Sequence, residues 1–149
     1  MQLKSALPAR TPVVGLDPGE KTLGVAVSDI SLTIASPLAL IHRTKFTKEA
    51  EELFKLMASR GAAGIVIGLP INMDGTEGAR CQSNRALARN ILRLRDLPIA
   101  FWDERLSTAA VNRMLIGEAD MTRSKRAEVV DRAAAGYILP GALDRLREA

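Results

Sequence analysis

The residues with the clearest chemical potential are carboxylates that stand beside apolar, strand-like segments. Asp17 ends the run Val13-Val14-Gly15-Leu16 and opens a Pro-Gly turn. Asp103 and Glu104 directly follow a second apolar run, Pro98-Ile99-Ala100-Phe101-Trp102. Proteins build sites for divalent metals from a carboxylate at the end of a buried strand together with further acids later in the chain. The pattern therefore predicts metal-assisted chemistry.

A further acid, Asp131, lies in a segment with helical periodicity. Val130, Ala134 and Ile138 form the apolar stripe of that segment, and Asp131 lies beside it. An aspartate on the packing side of a helix needs a partner, because an unpaired buried carboxylate is costly. A metal ion would serve, and a salt bridge with a neighbouring Arg or Lys is the alternative.

Hydrophobic periodicity predicts the elements that must position these acids. Strands are expected at residues 13–17, 22–28, 33–41, 64–69 and 98–102, and helices at residues 45–60, 79–95, 107–117 and 124–139. The last helix is expected to stop or kink at Pro140-Gly141. The order β-β-β-α-β-α-β-α-α indicates an α/β fold, with a mixed sheet and helices on its faces, in one domain over residues 1–149.

The predicted topology restricts which acids can meet. If strands 1, 4 and 5 are parallel, Asp17 lies at the same carboxyl edge as Asp103 and Glu104, where α/β sheets bind ligands. Neighbours in an extended chain point to opposite faces, so only one of Asp103 and Glu104 should enter the site. Asp29 ends the antiparallel strand 2, about 20 Å away, and is excluded. Asp74, in a glycine-containing loop, is a weak further candidate.

Composition limits the classes of function. The 149 residues are 47% hydrophobic and carry a net charge of +4, with a pI near 9.6. A basic excess favours polyanionic partners such as nucleic acid. The single Cys81 cannot form an internal disulfide. The first residues do not combine a basic start, an apolar stretch and a small-residue cleavage site, so we expect no secretion signal. No apolar run reaches about 18 residues, the length that a membrane span requires. A cytoplasmic protein without a membrane partner is expected.

Four sequence blocks together resemble the signature of a known family, YqgF/RuvX. They are Gly15-Leu16-Asp17-Pro18-Gly19-Glu20-Lys21-Thr22-Leu23-Gly24-Val25-Ala26-Val27-Ser28-Asp29, Gly68-Leu69-Pro70-Ile71-Asn72-Met73-Asp74-Gly75, Asp103-Glu104-Arg105-Leu106-Ser107-Thr108 and Val130-Asp131-Arg132-Ala133-Ala134. The resemblance implies an RNase H-like fold related to Holliday junction resolvases: a five-stranded mixed sheet of order 3-2-1-4-5, strand 2 antiparallel, with helices on both faces. It also implies a nuclease that trims precursor 16S ribosomal RNA. Thr22 and Pro140 depart from the pattern, where many members carry Arg and Gln.

The resemblance further implies Asp17, Glu104 and Asp131 as the catalytic and metal-binding trio. Hydrolysis of a phosphodiester by in-line displacement suits two Mg²⁺ or Mn²⁺ ions about 4 Å apart. Asp17 would bridge the ions or hold the first, Glu104 would hold one of them, and Asp131 would complete the other's shell and orient the attacking water. Four basic residues are expected to contact phosphates near the acids: Lys21, Arg105, Lys125 and Arg126.

Plain structural roles stay open beside these interpretations. Asp17 could simply start a turn. Asp103 or Glu104 could pair with Arg105 or cap a helix at Ser107. The stripe formed by Arg85, Arg89 and Arg93 favours a solvated helix face over an RNA track.

Three functions therefore compete. The first is a metal-dependent nuclease that acts on structured RNA, chiefly on the precursor of 16S ribosomal RNA. Such an enzyme would be a monomer or a weak dimer. The second is a Holliday junction resolvase, which would act on branched DNA and needs a symmetric dimer to cut two strands. The third is a non-catalytic factor that binds RNA, the ribosome or the transcription machinery.

Overall fold

A computed structural model of the chain describes residues 11–106 and residues 139, 140, 142 and 143. The described strands are β1 (Val13–Pro18), β2 (Thr22–Ser28), β3 (Ala35–His42), β4 (Gly64–Leu69) and β5 (Ile99–Asp103). The helices between them are α1 (Phe46–Arg60) and α2 (Ala79–Leu94), and a 3₁₀ turn, Glu104–Leu106, follows β5. Residues 139, 140, 142 and 143 are also helical. The helices predicted at residues 107–117 and, except for its last residue, 124–139 lie outside the described residues.

The strands form one mixed sheet of order β3-β2-β1-β4-β5, which confirms the predicted topology. β2 is antiparallel to both β1 and β3, whereas β1, β4 and β5 are parallel. The short turn between β1 and β2 explains the antiparallel pair, because two strands joined by a few residues must run in opposite directions. The parallel pairs are joined through α1 and α2, as crossover connections require.

The third strand begins two residues later than predicted, and the Asp29 carboxylate supplies the reason. Asp29 Oδ1 accepts hydrogen bonds from the backbone N–H groups of Thr33, at 2.8 Å, and Ile34, at 3.1 Å. Its Oδ2 accepts the hydroxyl of Ser31 at 2.6 Å. These bonds hold the chain in a turn until Ile34, so that strand pairing begins at Ala35.

Of the two alternatives predicted at Pro140-Gly141, a stop was wrong, because Pro140, Ala142 and Leu143 are helical. A kink stays a prediction, since residue 141 and the residues directly before Leu139 lie outside the described part of the chain. Proline removes a backbone donor but fixes φ near −65°, a value that a helix accepts.

α1 shows how local sequence sets the end of an element. Its side chains Ala50, Leu53 and Met57 recur at helical spacing and are buried against the sheet. Gly61 then adopts a left-handed conformation, with φ of 67°, and its N–H bonds to the carbonyl of Ala58 at 3.3 Å. This conformation is easy for glycine and ends the helix before β4.

The sheet is covered on both faces. On the first, here named the α1–α2 face, strand residues such as Val14, Leu16 and Ile67 pack with Leu53 and Leu87 of the two helices. The opposite face packs against Leu139, Ala142 and Leu143 and is here named the Leu139 face; its strand residues include Val13, Ala26, Val66 and Trp102. Helices on both faces of the sheet are therefore confirmed.

Candidate active site

Asp17 lies at the carboxyl end of β1, on the Leu139 face. It is paired in register with Gly24 of β2 and is 0% exposed. Alternation along the strand places it on the same side as Val13 and Gly15. A Cβ added to Gly15 would be 3.2 Å from the Cβ of Leu139, so the helical segment approaches β1 closely on the side of Asp17.

Two arginines hold the turn that follows Asp17. Arg80, in the first turn of α2, donates from Nη2 to the carbonyl of Pro18 at 2.8 Å. Arg43, just after β3, donates from Nη1 to the carbonyl of Gly19 at 2.9 Å. Within the turn, the N–H of Gly19 bonds to the carbonyl of Thr22 at 2.8 Å. The backbone next to Asp17 is therefore fixed by contacts from two distant elements.

Arg43 is itself held by a buried carboxylate of α1. Its Nε lies 3.4 Å from Oε1 of Glu49, a residue that is only 5% exposed. Oε2 of Glu49 accepts the N–H of Thr44 at 3.0 Å. The charge of Arg43 is thus compensated, and its role at the turn is to link α1 to the strand end.

Asp103 and Glu104 differ sharply in environment. Asp103 makes an ion pair with Arg105, with Nη2 and Oδ2 2.7 Å apart, and its Oδ1 accepts the backbone N–H of Arg105 at 2.9 Å. The side-chain hydrogen bonds from Arg105 hold the pKa of Asp103 below its usual value. Glu104 begins the 3₁₀ turn and is 2% exposed. The predicted alternative for Asp103, an ion pair with Arg105, is therefore present. Of the two neighbouring acids, Glu104 is the buried one.

The registers place the two buried acids at one edge of the sheet. Leu16 pairs with Ile67, and Ile67 pairs with Phe101, so that Asp17 is level with Trp102. Their backbones are two strand spacings apart, about 10 Å, and Glu104 lies two residues beyond Trp102. Asp17 and Glu104 therefore end parallel strands on either side of β4, as the predicted convergence requires.

These two carboxylates have the chemistry of a site for hard divalent cations, which prefer oxygen ligands. Both are buried, so a bound cation would offset the cost of keeping their charges out of water. Within residues 11–106 and the described helical residues, no three His, Cys, Asp or Glu side chains are close enough to hold a metal. Asp131, the third predicted ligand, lies outside the described residues.

The other aspartates that were considered have local partners. Asp29 holds the turn before β3, at the opposite end of β2 from Asp17. Asp74 accepts the hydroxyl of Thr76 at 2.6 Å and its N–H at 3.0 Å, and these bonds lower the pKa of Asp74. The loop that contains Asp74 is tied to the site, because Nη1 of Arg105 donates to the carbonyl of Asn72 at 3.4 Å.

The predicted phosphate contacts have different surroundings. Lys21 is exposed in the turn between β1 and β2, close in sequence to Asp17. Arg105 is at the same edge but pairs with Asp103, while Lys125 and Arg126 lie outside the described residues. In the arginine stripe of α2, Arg85 forms a bidentate pair with Glu77, at 2.7 and 2.8 Å, and lies 5.0 Å from the centre of the Phe101 ring.

Sequence reasoning missed Arg43 and Arg80. One signal could have pointed to Arg80: it lies in the first turn of a predicted helix, where the positive end of the helix dipole disfavours a cation. For Arg43 there was no such signal, because its partner Gly19 is 24 residues away in the chain.

The sheet order, the covered faces and the acids at the carboxyl edge define the class of this protein as RNase H-like. The structure is similar to Thermus thermophilus RuvC in complex with a Holliday junction substrate, with a TM-score of 0.51 over 89% of this chain and 93% of that chain. A second structure of Thermus thermophilus RuvC matches with a TM-score of 0.50 over 93% and 97% of the two chains. Both are 11% identical to this chain, so they support the fold alone.

The family model described as "RuvX: Holliday junction resolvase" matches residues 11–145, and the chain belongs to the RuvX family. It is 72% identical to a protein of Phenylobacterium zucineum (strain HLK1), over 99% of this chain and 95% of the relative. It is 73% identical to a protein of Caulobacter vibrioides (strain NA1000 / CB15N), over 95% and 92% of the two chains. Both relatives bear the name "Putative pre-16S rRNA nuclease". The predicted family is confirmed, and these names agree with the predicted enzyme class.

No helix that the structure describes is long and apolar enough to cross a bilayer.

Proposed function

We propose that this chain is a metal-dependent nuclease that hydrolyses phosphodiester bonds in the precursor of 16S ribosomal RNA, at its 5′ end, in the cytoplasm. The observation that carries the proposal is the pair of buried carboxylates, Asp17 and Glu104, at one carboxyl edge of an RNase H-like sheet. The names of the relatives from Phenylobacterium and Caulobacter support the RNA substrate.

Asp17 and Glu104 would hold the divalent cations, Mg²⁺ or Mn²⁺, together with Asp131. Bound ions of this kind stabilise the charge that develops on the attacking and leaving oxygens of an in-line displacement. Asp17 would bridge two ions or hold the first, Glu104 would hold one of them, and Asp131 would complete the remaining shell and orient the water.

Basic residues would hold the negatively charged substrate over these acids. Lys21 is suited to this role because it is exposed, belongs to the turn after Asp17 and forms no ion pair with any described residue. We include Arg105, Lys125 and Arg126 as further phosphate contacts. Arg105 would act while paired with Asp103, since its side chain is 34% exposed.

Resolution of Holliday junctions is the second candidate. It is supported by the description of the family model and by the fold shared with a RuvC structure that contains such a junction. The same acids would serve, but cutting two strands requires a symmetric dimer. A factor that binds RNA or the ribosome without cutting is the third candidate.

The test is cleavage of a labelled precursor 16S RNA and of a four-way DNA junction, each with Mg²⁺, Mn²⁺ or EDTA. Asp17→Asn removes one carboxylate charge at the proposed site, and Asp29→Asn is the matched control at the other end of β2. Metal-dependent RNA cleavage that is lost in Asp17→Asn and kept in Asp29→Asn would support the proposal. Cleavage of the junction alone would favour the resolvase, and RNA binding without cleavage would favour the binding factor.

A further inference from the structure

We propose that Arg80 contacts the phosphate of the substrate that lies over Asp17, an inference that rests on the proposed nucleic-acid substrate. The position of the guanidinium group is the first reason. Its Nη2 is 2.8 Å from the carbonyl oxygen of Pro18, the residue directly after Asp17. Arg80 is therefore fixed beside the carboxyl end of β1, where a substrate must approach the buried acid.

The charge of Arg80 is the second reason. The described ion pairs are Arg43 with Glu49, Arg85 with Glu77 and Arg105 with Asp103. Within the described parts of the chain no carboxylate pairs with Arg80, although the residue is exposed at an edge that holds two buried acids. Its positive charge is thus available to an anion from solution.

The location of Arg80 in α2 is the third reason. It is the second residue of the helix, whose first turn contains no acidic residue. The N–H groups at a helix start already carry partial positive charge, so a cation there is unfavourable without an anion nearby. A phosphate at this end of the sheet would compensate the charge of Arg80 and the partial positive charge of the helix start. In return, Arg80 would reduce the repulsion between that phosphate and the carboxylate of Asp17.

The shape of the side chain fits a double role. A guanidinium group has five N–H donors in a planar fork, and the bond to Pro18 uses one of them. The remaining donors can contact a phosphate while the first keeps the turn in place. A lysine has a single ammonium group and cannot present the same fork, so Arg80→Lys should recover only part of the function.

The experiment is a walk of neutral methylphosphonates along a short duplex RNA that spans the 5′ processing site, and along one arm of a four-way DNA junction. Binding of each oligonucleotide is measured by fluorescence anisotropy in EDTA, so that no strand is cut. The proteins are the wild type, Arg80→Gln, Arg80→Lys and Arg60→Gln. Arg60→Gln is the matched control. Arg60 is an exposed arginine that ends α1, just before the amino end of β4, whereas Asp17 lies at the carboxyl end of β1.

We expect Arg80→Gln to bind the unmodified nucleic acid about 10-fold more weakly, the loss of one charge-assisted hydrogen bond. Its salt dependence should fall by about one released counterion. At one position, a methylphosphonate should weaken binding by the wild type but not binding by Arg80→Gln. Metal-dependent cleavage by the wild type should occur at that phosphate or at its neighbour. Arg80→Lys should be intermediate, and Arg60→Gln should match the wild type.

An unchanged methylphosphonate profile in Arg80→Gln would overturn the proposal, even if cleavage fell, because it would mean that Arg80 only positions the turn. The proposal would also be overturned if Arg80→Gln weakened binding no more than Arg60→Gln does. It would be overturned as well if the wild type bound neither nucleic acid. If the Arg80-dependent phosphate is found but the wild type cuts nothing, the nuclease proposal fails while the phosphate contact stands.

Discussion

At the scale of single residues, the acids of the chain differ in burial and in hydrogen bonding. Asp29, Asp74 and Asp103 each accept hydrogen bonds from donors within five residues, and side-chain hydrogen bonds are the largest cause of their lowered pKa values. Asp17 and Glu104 are instead buried at strand ends, 0% and 2% exposed. The first three acids shape local turns, whereas the other two lie where parallel strands from different parts of the chain end.

The neighbours Asp103 and Glu104 offer a sharp test of this distinction. Glu104→Gln should lower metal-dependent cleavage at least about 100-fold, because loss of a ligand should cost no less than loss of its outer-shell partner. Asp103→Asn should keep activity within about 10-fold, because this carboxylate pairs with Arg105. Steady-state cleavage rates at saturating Mn²⁺ measure both. Equal losses in the two variants would contradict the assignment.

At the scale of elements, close packing at Gly15 couples β1 to the helical segment at Leu139. The Cβ of Leu139 is 3.2 Å from where a Cβ of residue 15 would be, and Leu139 is fully buried. Asp17 follows Gly15 by two residues, on the same face. The depth at which the helical segment packs therefore affects the surroundings of Asp17. A Cβ at position 15 would require Leu139 to shift by a few tenths of an ångström.

Gly15→Ala should reduce the free energy of unfolding by about 1–3 kcal/mol through overpacking. Leu139→Ala alone should cost about 2–5 kcal/mol. The double variant should be less destabilised than the sum by at least about 0.5 kcal/mol, because Leu139→Ala removes Cγ and Cδ1, which lie 3.5 and 3.4 Å from the added Cβ. Residue 139 keeps its own Cβ, so the relief comes from the outer atoms of the side chain. Urea denaturation measures all three proteins.

Gly61→Ala is the control for this cycle. A Cβ at residue 61 would meet no atom within 4 Å, but φ there is 67°, so the cost is conformational. Its effect should add to that of Leu139→Ala. Additive effects for Gly15→Ala as well would show that the side-chain atoms of Leu139 beyond Cβ do not limit packing.

At the scale of the whole molecule, one sheet edge gathers opposite charges. The buried acids Asp17 and Glu104 lie there together with Lys21 and Arg80, for which no ion pair is found in the described regions. This arrangement suits a substrate that is an anion and needs a cation for its chemistry. That one domain spans residues 1–149 stays a prediction.

Metal binding at this edge should stabilise the folded protein, since the ligands come from strands that meet only after folding. At a Mn²⁺ concentration 100 times the Kd the gain is about 2.7 kcal/mol. For a chain of this length that is a rise in Tm of about 5–11 °C. Differential scanning calorimetry should show the rise in the wild type and in Asp29→Asn, and EDTA should reverse it. A rise of the same size in Asp17→Asn would place the metal elsewhere.

Much of the fold was predictable because it depends on local chain properties. Apolar periodicity located the described strands and helices to within about two residues, and the short turn after β1 required an antiparallel partner. The order of the strands came from family resemblance and agrees with the structure. The expectation that only one of Asp103 and Glu104 enters the site rested on alternation in an extended chain. Glu104 instead begins the 3₁₀ turn, so this expectation stays a prediction.

The sequence by itself determined the strands and helices of residues 11–106 and the family. Tertiary structure alone decided which charges are compensated: Arg105 is paired with Asp103, Arg43 with Glu49, and Arg80 lies against Pro18, 62 residues away. The physical reason is range. The positions of helices and strands follow largely from apolar periodicity and turn residues, which are local properties of the chain. The surroundings of a charge instead depend on how distant elements pack and on how much water they exclude.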